Sequence, residues 1–353
     1  MQCITSFDQN GRNEADTGLV FADVWDMPGT MFGSPASKKG EPFYRVPADI
    51  AEKTNDGVKV LAPHTSGIRF LFETDSQKVA LRVSRQEKTI PSQNFSAIGH
   101  SGFDMWEIVD GKYRAIDFLV NPGSESPFLG VHTFPDEGAH TVMLYFPLYN
   151  SVDSLEIGIE EGKGAWAVAS PYKDVKPVLY YGSSITQGGC ASRAGNAYQA
   201  MISRIFDLDF INLGFSGSAK GEPIMVDWLA GYDPSVFVCD FDHNAPTPEY
   251  LAEVHYPLYE RYRAARPEVP ILFVSKPDPD LDPGADRRRE VIRATYEKAK
   301  AAGDDKVYFL DGASFFGEYE RFACTVDGCH PNDLGFLRMA EGIGRAVTDI
   351  LGL

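Results

Sequence analysis

Four short stretches carry groups able to do nucleophilic chemistry. "YYGSSITQGG" (180–189) ends an apolar run in two serines and a glycine pair. "NLGFSGS" (212–218) and "CDFDHNAP" (239–246) follow it, and "TVDGCHPNDLGF" (325–336) lies far downstream. A serine attacks a carbonyl only with a base, an acid to orient that base, and donors for the oxyanion. Ser183 and Ser184 supply hydroxyls, although either could simply cap a helix. Of the seven histidines, His330 has the suggestive surroundings, with Asp327 three residues before it and Gly328 between. A short turn of that spacing can set a carboxylate beside the imidazole, fix its tautomer and stabilise the imidazolium. D-x-x-H also arises by chance, with the acid a turn residue and the histidine on the surface. Gly217 could turn its N–H inward, and Asn244 offers a side-chain amide; taken singly, they belong to an ordinary glycine turn and an ordinary loop. Asp240 and Asp242 could hold a cation or ligand hydroxyls, but such carboxylates are more often structural acceptors.

The elements around these stretches divide the chain by rhythm. From about 173 onward, apolar runs alternate with helical patterns. "PVLYYG" (177–182) precedes "GNAYQAMISRIF" (195–206), and "FINLG" (210–214) precedes "EPIMVDWLA" (222–230). "SVFVCDF" (235–241) precedes "TPEYLAEVHYPLYERYRAA" (247–265), and "PILFVSK" (270–276) precedes "DRRREVIRATYEKAKAA" (286–302). "KVYFLDG" (306–312) leads to "NDLGFLRMAEGIGRAVTDIL" (332–351), where Phe336, Ala340, Ile343, Val347 and Leu351 share one helical face. Repeated β–α units predict a parallel sheet covered on both faces. Each candidate group then falls at the carboxyl end of a strand or just before a helix, where such sheets hold their ligands.

Residues 1–172 read as β. "GIRFLFET" (67–74), "KVALRVSR" (78–85), "DMWEIVDG" (104–111), "YRAIDFLV" (113–120), "HTVMLYFPL" (140–148) and "SLEIGIEE" (154–161) are separated by turn residues. Many short strands of this kind predict a β-sandwich, jelly-roll-like. Trp25, Phe43 and Trp106 could line a ligand cleft, though single aromatics in a β-domain are more often core. The expected domains are therefore 1–172 and 173–353, joined at "ASPYKDVK" (169–176).

Bulk composition narrows the function classes. The formal charge is −17 over 353 residues, which disfavours nucleic acid and anionic membrane as partners. "DRRRE" (286–290) is the one arginine run and reads as a solvated helix start. No apolar stretch is long enough to span a bilayer, and the N-terminus has neither the basic nor the apolar segment of a signal peptide, so a cytoplasmic location is expected. The five cysteines, Cys3, Cys190, Cys239, Cys324 and Cys329, are an odd count without a CxxC pair, so neither a disulfide framework nor a metal site is expected.

In order, "GSSITQG", "NLGFSG", "DHNAP" and "DGCHPND" resemble the four blocks of the SGNH/GDSL hydrolase superfamily. Ser183 stands where G-D-S-L has Asp, and Ile185 where it has Leu. The third block departs from G-x-N-D, reading Asp242–His243–Asn244–Ala245. The resemblance covers about 175–353 and implies a flavodoxin-like three-layer α/β/α domain. It makes Ser184 the nucleophile, His330 the base and Asp327 its orienting acid, with Ser184, Gly217 and Asn244 as oxyanion hole. "SGFDMWEIVDGKYR" (101–114) with "YFPLYNSVDSLEIGI" (145–159) resembles the GxDLY domain found ahead of some SGNH hydrolases. The two-part plan is similar to that of carbohydrate esterase family 2. Together these imply a serine esterase removing short acyl groups, most simply acetyl, from a mono- or oligosaccharide, without metal or organic cofactor. An O-acyltransferase using the same site, and a carbohydrate-binding protein with an inactive hydrolase domain, are the alternatives.

Overall fold

The strand-like runs of the first half form antiparallel strands, and those of the second half form parallel ones. The computed structural model describes residues 13–14, 18–85, 93–120, 126–277, 280 and 284–353. Cys3 and most of the N-terminal segment read for a leader lie outside them. The chain divides into two compact units, the first taking in residues up to Arg45, Pro63–Pro171 and Arg193–Gly195, the second Val46–Ala62, Tyr172–Ser192 and Asn196–Leu353.

The first unit holds β1 (Asn13–Glu14), β2 (Leu19–Asp23), β3 (Thr30–Phe32), β4 (Arg69–Thr74), β5 (Lys78–Ser84) and β6 (Phe103–Val109). It continues with β7 (Lys112–Leu119), β8 (Phe128–Thr133), β9 (His140–Tyr145), β10 (Ser154–Glu160) and β11 (Ala165–Trp166). One sheet runs β1-β2-β10-β5-β8, the other β11-β4-β9-β6-β7 with β3 beside β4. Val79, Leu81 and Val83 point one way from β5, Ile157 and Ile159 from β10, and all join Phe70, Phe72, Phe103, Met105, Val142 and Leu144 in one apolar cluster. Such period-two burial is what a strand with one covered face requires. Phe43 lies in this cluster and stacks on Trp25 with ring centroids 5.5 Å apart, so these two aromatics are core. Trp106 is committed elsewhere: its indole N–H donates to buried Asp104 Oδ2 at 2.8 Å. The same oxygen accepts the Gly195 N–H at 2.9 Å, and Arg193 reaches Asp104 Oδ1 at 3.4 Å. A Cβ on Gly102 would sit 2.5 Å from the Ile98 carbonyl oxygen. The Gly102–Asp104 signature therefore reads as a packing and anchoring device.

Two short helices, α1 (Ala48–Thr54) and α2 (Asp56–Leu61), belong to the second unit although they arise within the β-rich half, while α3 (Ala97–Ser101) belongs to the first. They lack a period long enough to be seen in the sequence. Asn55 caps α2 by accepting from Val58 N–H, and its amide donates to the Ser218 carbonyl at 2.9 Å.

The second unit continues with β12 (Val178–Gly182), α4 (Ser184–Gln187), α5 (Tyr198–Phe206), β13 (Phe210–Gly214), α6 (Pro223–Leu229), β14 (Phe237–Asp240) and α7 (Pro248–Ala265). It ends with β15 (Ile271–Val274), α8 (Ala285–Ala301), β16 (Val307–Leu310) and α9 (Asp333–Leu351). The parallel sheet runs β13-β12-β14-β15-β16. Every residue of β12 is buried, as a central parallel strand covered on both faces requires. Register does the positioning: Gly182 pairs with Gly214 on one side and with Asp240 on the other. The loops after β12, β13 and β14 thus leave the sheet at one level, at the point where strand order reverses. On α9, Phe336, Ala340, Ile343 and Val347 are fully buried and Leu351 half-buried. A Cβ on Gly344 would meet the Phe206 ring at 2.1 Å, so α9 and α5 pack closely there. Among the described residues no helix is long and apolar enough to cross a membrane.

Candidate active site

The serine pair resolves into two roles. Ser183 is the N-cap of α4, its hydroxyl accepting from Ile185 N–H at 3.2 Å. Ser184 therefore stands on the first helical residue, and its Oγ lies 2.9 Å from His330 Nε2. The turn is braced by buried amides. The Thr186 carbonyl accepts from Gln199 Nε2 at 2.8 Å and Asn212 Nδ2 at 2.7 Å. Gln187 Oε1 accepts from Ser216 N–H at 3.0 Å. Gly188, at φ +103°, ends the helix in a left-handed conformation that favours glycine.

Asp327 builds the opposing side. Its Oδ1 accepts the N–H groups of Cys329 at 3.0 Å and His330 at 2.7 Å, closing a turn around Gly328 at φ +80°. Its Oδ2 lies 2.8 Å from His330 Nδ1. The turn is held at both ends: Val326 N–H donates to the His330 carbonyl at 2.9 Å, and Asn332 caps α9 through Leu334 and Gly335 N–H. Ser184, His330 and Asp327 thus form one hydrogen-bonded chain. Such a chain can take a proton from the hydroxyl at Nε2 while the carboxylate holds Nδ1–H.

Gly217 and Asn244 also come together, bonded to each other. Gly217, at φ +64°, donates its N–H to Asn244 Oδ1 at 3.0 Å. Asn244 Nδ2 donates to the Phe215 carbonyl at 2.9 Å. A carboxamide has two N–H bonds, so one remains for a ligand.

Asp240 and Asp242 take the acceptor role. Asp240 Oδ1 accepts from the Thr186 hydroxyl and Oδ2 from Tyr198 OH at 3.0 Å. The Ser183 N–H bonds it as well. Burial outweighs these donors and raises its pKa to about 7. Asp242 accepts from Lys276 N–H at 3.2 Å, and burial raises its pKa to about 6. Asp240 therefore anchors the nucleophile turn to α5 from beneath.

Sequence reasoning missed the thiols beside this chain. None of Cys190, Cys239, Cys324 and Cys329 is in a disulfide. Cys190 is buried at φ +70°, unusual for a residue with a side chain, and one ligand atom each of Cys190, Asp327 and His330 lie within 4.8 Å of one another. Burial first, then the charges of Asp327 and Cys329, raise the Cys190 thiol pKa to about 12. Cys329 Sγ lies 3.2 Å from His243 Nε2. No spacing rule links positions 190 and 330.

Comparisons with known proteins identify families for both halves of the chain. Residues 175–348 match the model of the GDSL-like lipase/acylhydrolase family, and residues 19–164 match that of the N-terminus of SGNH-hydrolase-type esterases. No curated protein matches. Among solved structures, a protein of Bacteroides ovatus ATCC 8483 assigned to the GDSL-like lipases is 28% identical, with a TM-score of 0.85 and coverage of 95% of this chain and 98% of that one. A salicylyl-acyltransferase from a tetracycline biosynthetic pathway is 19% identical, with a TM-score of 0.77 and coverage of 96% and 98%. A family two carbohydrate esterase from Clostridium thermocellum, in complex with cellohexaose, is 18% identical, with a TM-score of 0.60 and coverage of 82% and 94%. At these last two identities the likeness is one of fold. Over residues 175–348 the chain belongs to the GDSL-like lipase/acylhydrolase family, preceded at 19–164 by the N-terminal domain of SGNH-hydrolase-type esterases.

Proposed function

We propose that this protein is a serine esterase that removes short acyl groups, acetyl above all, from carbohydrate hydroxyls. The observation that carries the reading is the continuous chain from Ser184 Oγ through the His330 ring to Asp327, with links of 2.9 and 2.8 Å. In this scheme His330 Nε2 takes the Ser184 proton as Oγ attacks the ester carbonyl. The oxyanion is held by the N–H groups of Ser184 and Gly217 and by Asn244 Nδ2, and it competes with Asn244 Oδ1 for the Gly217 N–H. His330 then protonates the departing sugar oxygen, leaving an acyl-enzyme. Water attacks next, giving its proton to His330 and releasing the acid and Ser184. The carbohydrate part of the reading draws on the family two carbohydrate esterase of like fold. A jelly-roll-like first domain and a flavodoxin-like second one belong to the same reading, supported by two antiparallel sheets in the first unit and one parallel sheet in the second.

The test is acetate release from acetylated mono- and oligosaccharides by the parent protein and by Ser184→Ala. The variant is expected to lose at least about 10⁴-fold in turnover. Cleavage of simple aryl acetates without any acetylated sugar would keep the esterase and remove the carbohydrate. No cleavage of either would remove both. A second reading, acyl transfer to another hydroxyl, is favoured by the acyltransferase of like fold. It predicts that added acceptor alcohols divert the acyl group from water.

A further inference from the structure

The cysteine beside the hydrogen-bonded chain has no part in that scheme, yet it is buried in a backbone conformation that side chains seldom adopt. From that position it completes a set of three different metal-binding groups: a thiol, a carboxylate and an imidazole, with one ligand atom of each within 4.8 Å of the others. We propose that Cys190, Asp327 and His330 bind a soft divalent cation of the Zn²⁺ class, and that its binding switches the serine site off. The inhibitory half of this rests on the esterase reading; the binding half does not.

The geometry suits such an ion. Zinc bonds of roughly 2.0–2.3 Å to sulfur, nitrogen and oxygen set tetrahedral ligands roughly 3.3–3.8 Å apart. The ligand atoms lie within 4.8 Å of one another, so binding needs the Cys190 sulfur and the 2.8 Å Asp327–His330 pair to shift by about an ångström. Asp327 is exposed and His330 half-buried, so an ion has a path in from solvent. Three protein ligands leave a fourth position for water. Thiolate and imidazole select Zn²⁺ or Cd²⁺ over Mg²⁺ and Ca²⁺, which prefer all-oxygen shells. Binding exchanges the Cys190 thiol proton for the metal, with no change of oxidation state. Either ring nitrogen serves to inhibit. A metal on Nε2 takes the lone pair that must accept the serine proton, and a metal on Nδ1 breaks the bond to Asp327.

The first experiment titrates Cd²⁺ into the full chain and follows the ultraviolet thiolate-to-cadmium band, in the parent and in Cys190→Ser, Cys329→Ser and Asp327→Asn. The band is expected to be lost in Cys190→Ser, kept in Cys329→Ser, and shifted to about tenfold higher cadmium in Asp327→Asn. Thermal melts of each metal-free variant confirm folding. In parallel, Zn²⁺ is titrated against aryl acetate hydrolysis, each variant being referred to its own metal-free rate. Inhibition in the parent is expected to reverse with EDTA, to be absent with Mg²⁺, and to need about tenfold or more zinc in Cys190→Ser. A cadmium band that survives in Cys190→Ser, or equal zinc inhibition of parent and Cys190→Ser, overturns the proposal. If the parent hydrolyses no ester, the cadmium result still decides the binding site, and that failure belongs to the esterase reading.

Discussion

Asp327 uses its two oxygens for two purposes, and substitution can separate them. Oδ1 gathers the turn through Cys329 and His330 N–H, while Oδ2 faces Nδ1 of the ring. In Asp327→Asn the amide oxygen can still hold the turn, but an NH₂ group would face Nδ1. The imidazole then settles in the tautomer with its proton on Nε2 and cannot accept the serine proton. Turnover on aryl acetate is expected to fall about 10³- to 10⁴-fold with KM little changed. A loss below about tenfold would deny Asp327 the orienting role. Asn244→Ala removes an oxyanion donor and the acceptor of the Gly217 N–H, and is expected to cost about 10²- to 10³-fold in turnover, read by the same assay.

At the scale of elements, the site depends on strand ends that tolerate no side chain. A Cβ on Gly182 would lie 2.0 Å from Asp240 Oδ1 and 2.1 Å from Thr186 Oγ1. Gly182→Ala must push β12 away from β14 or break the Asp240 anchor. It is expected to destabilise the fold by roughly 1–3 kcal/mol in urea unfolding and to lower activity in the protein that remains folded. Asn332→Ala tests the other side, because Asn332 caps α9 and its amide also holds the Ala323 carbonyl at 2.7 Å. The expected loss is about 1 kcal/mol, read from the same unfolding curves. A neutral result would show that the cap does not hold the turn that carries His330.

For the whole molecule, burial decides how stability follows pH. Asp240 and Asp242 have pKa values raised to about 7 and about 6 from 3.8, so the folded state holds protons that the unfolded state has released. Their contribution is full below the unfolded value and is lost as pH rises through the folded values. His64, His100 and His255 act oppositely: burial lowers them to about 3, 4 and 3 from 6.5, so stability is lost as pH falls below the unfolded value. At pH ~6 the three histidines outweigh the two carboxyls, so stability is expected to rise with pH up to about 7 and then to level off. Asp240→Asn imitates the protonated acid. Its melting temperature relative to the parent is expected to rise between about pH 4 and about pH 7. A difference independent of pH would show that Asp240 titrates normally.

Residues 325–336 show how far local pattern reaches. The three-residue spacing of Asp327 and His330 allowed a turn to be read as a candidate pair, although the same spacing also arises by chance; here Asp327 accepts the N–H groups of Cys329 and His330. The serine pair was readable as a cap plus a hydroxyl, and the face of α9 followed from steps of three and four. The short helices at 48–61 were not readable, since two turns give too little period to recognise. Nor was the anchoring by Asp240, whose partners Thr186 and Tyr198 lie 54 and 42 positions away. Ser184 and His330 are 146 positions apart, and the sequence could place them only at strand ends. The register that sets Gly182 level with Gly214 and Asp240 decides which loops meet. The bond between Gly217 and Asn244, and the thiol of Cys190 beside His330, follow from that meeting. Hydrogen bonds and backbone angles within a few residues are local energies, fixed by residue type and spacing. Contacts across the sheet exist only once strands have paired and apolar faces are buried, and that is a property of the whole packed chain.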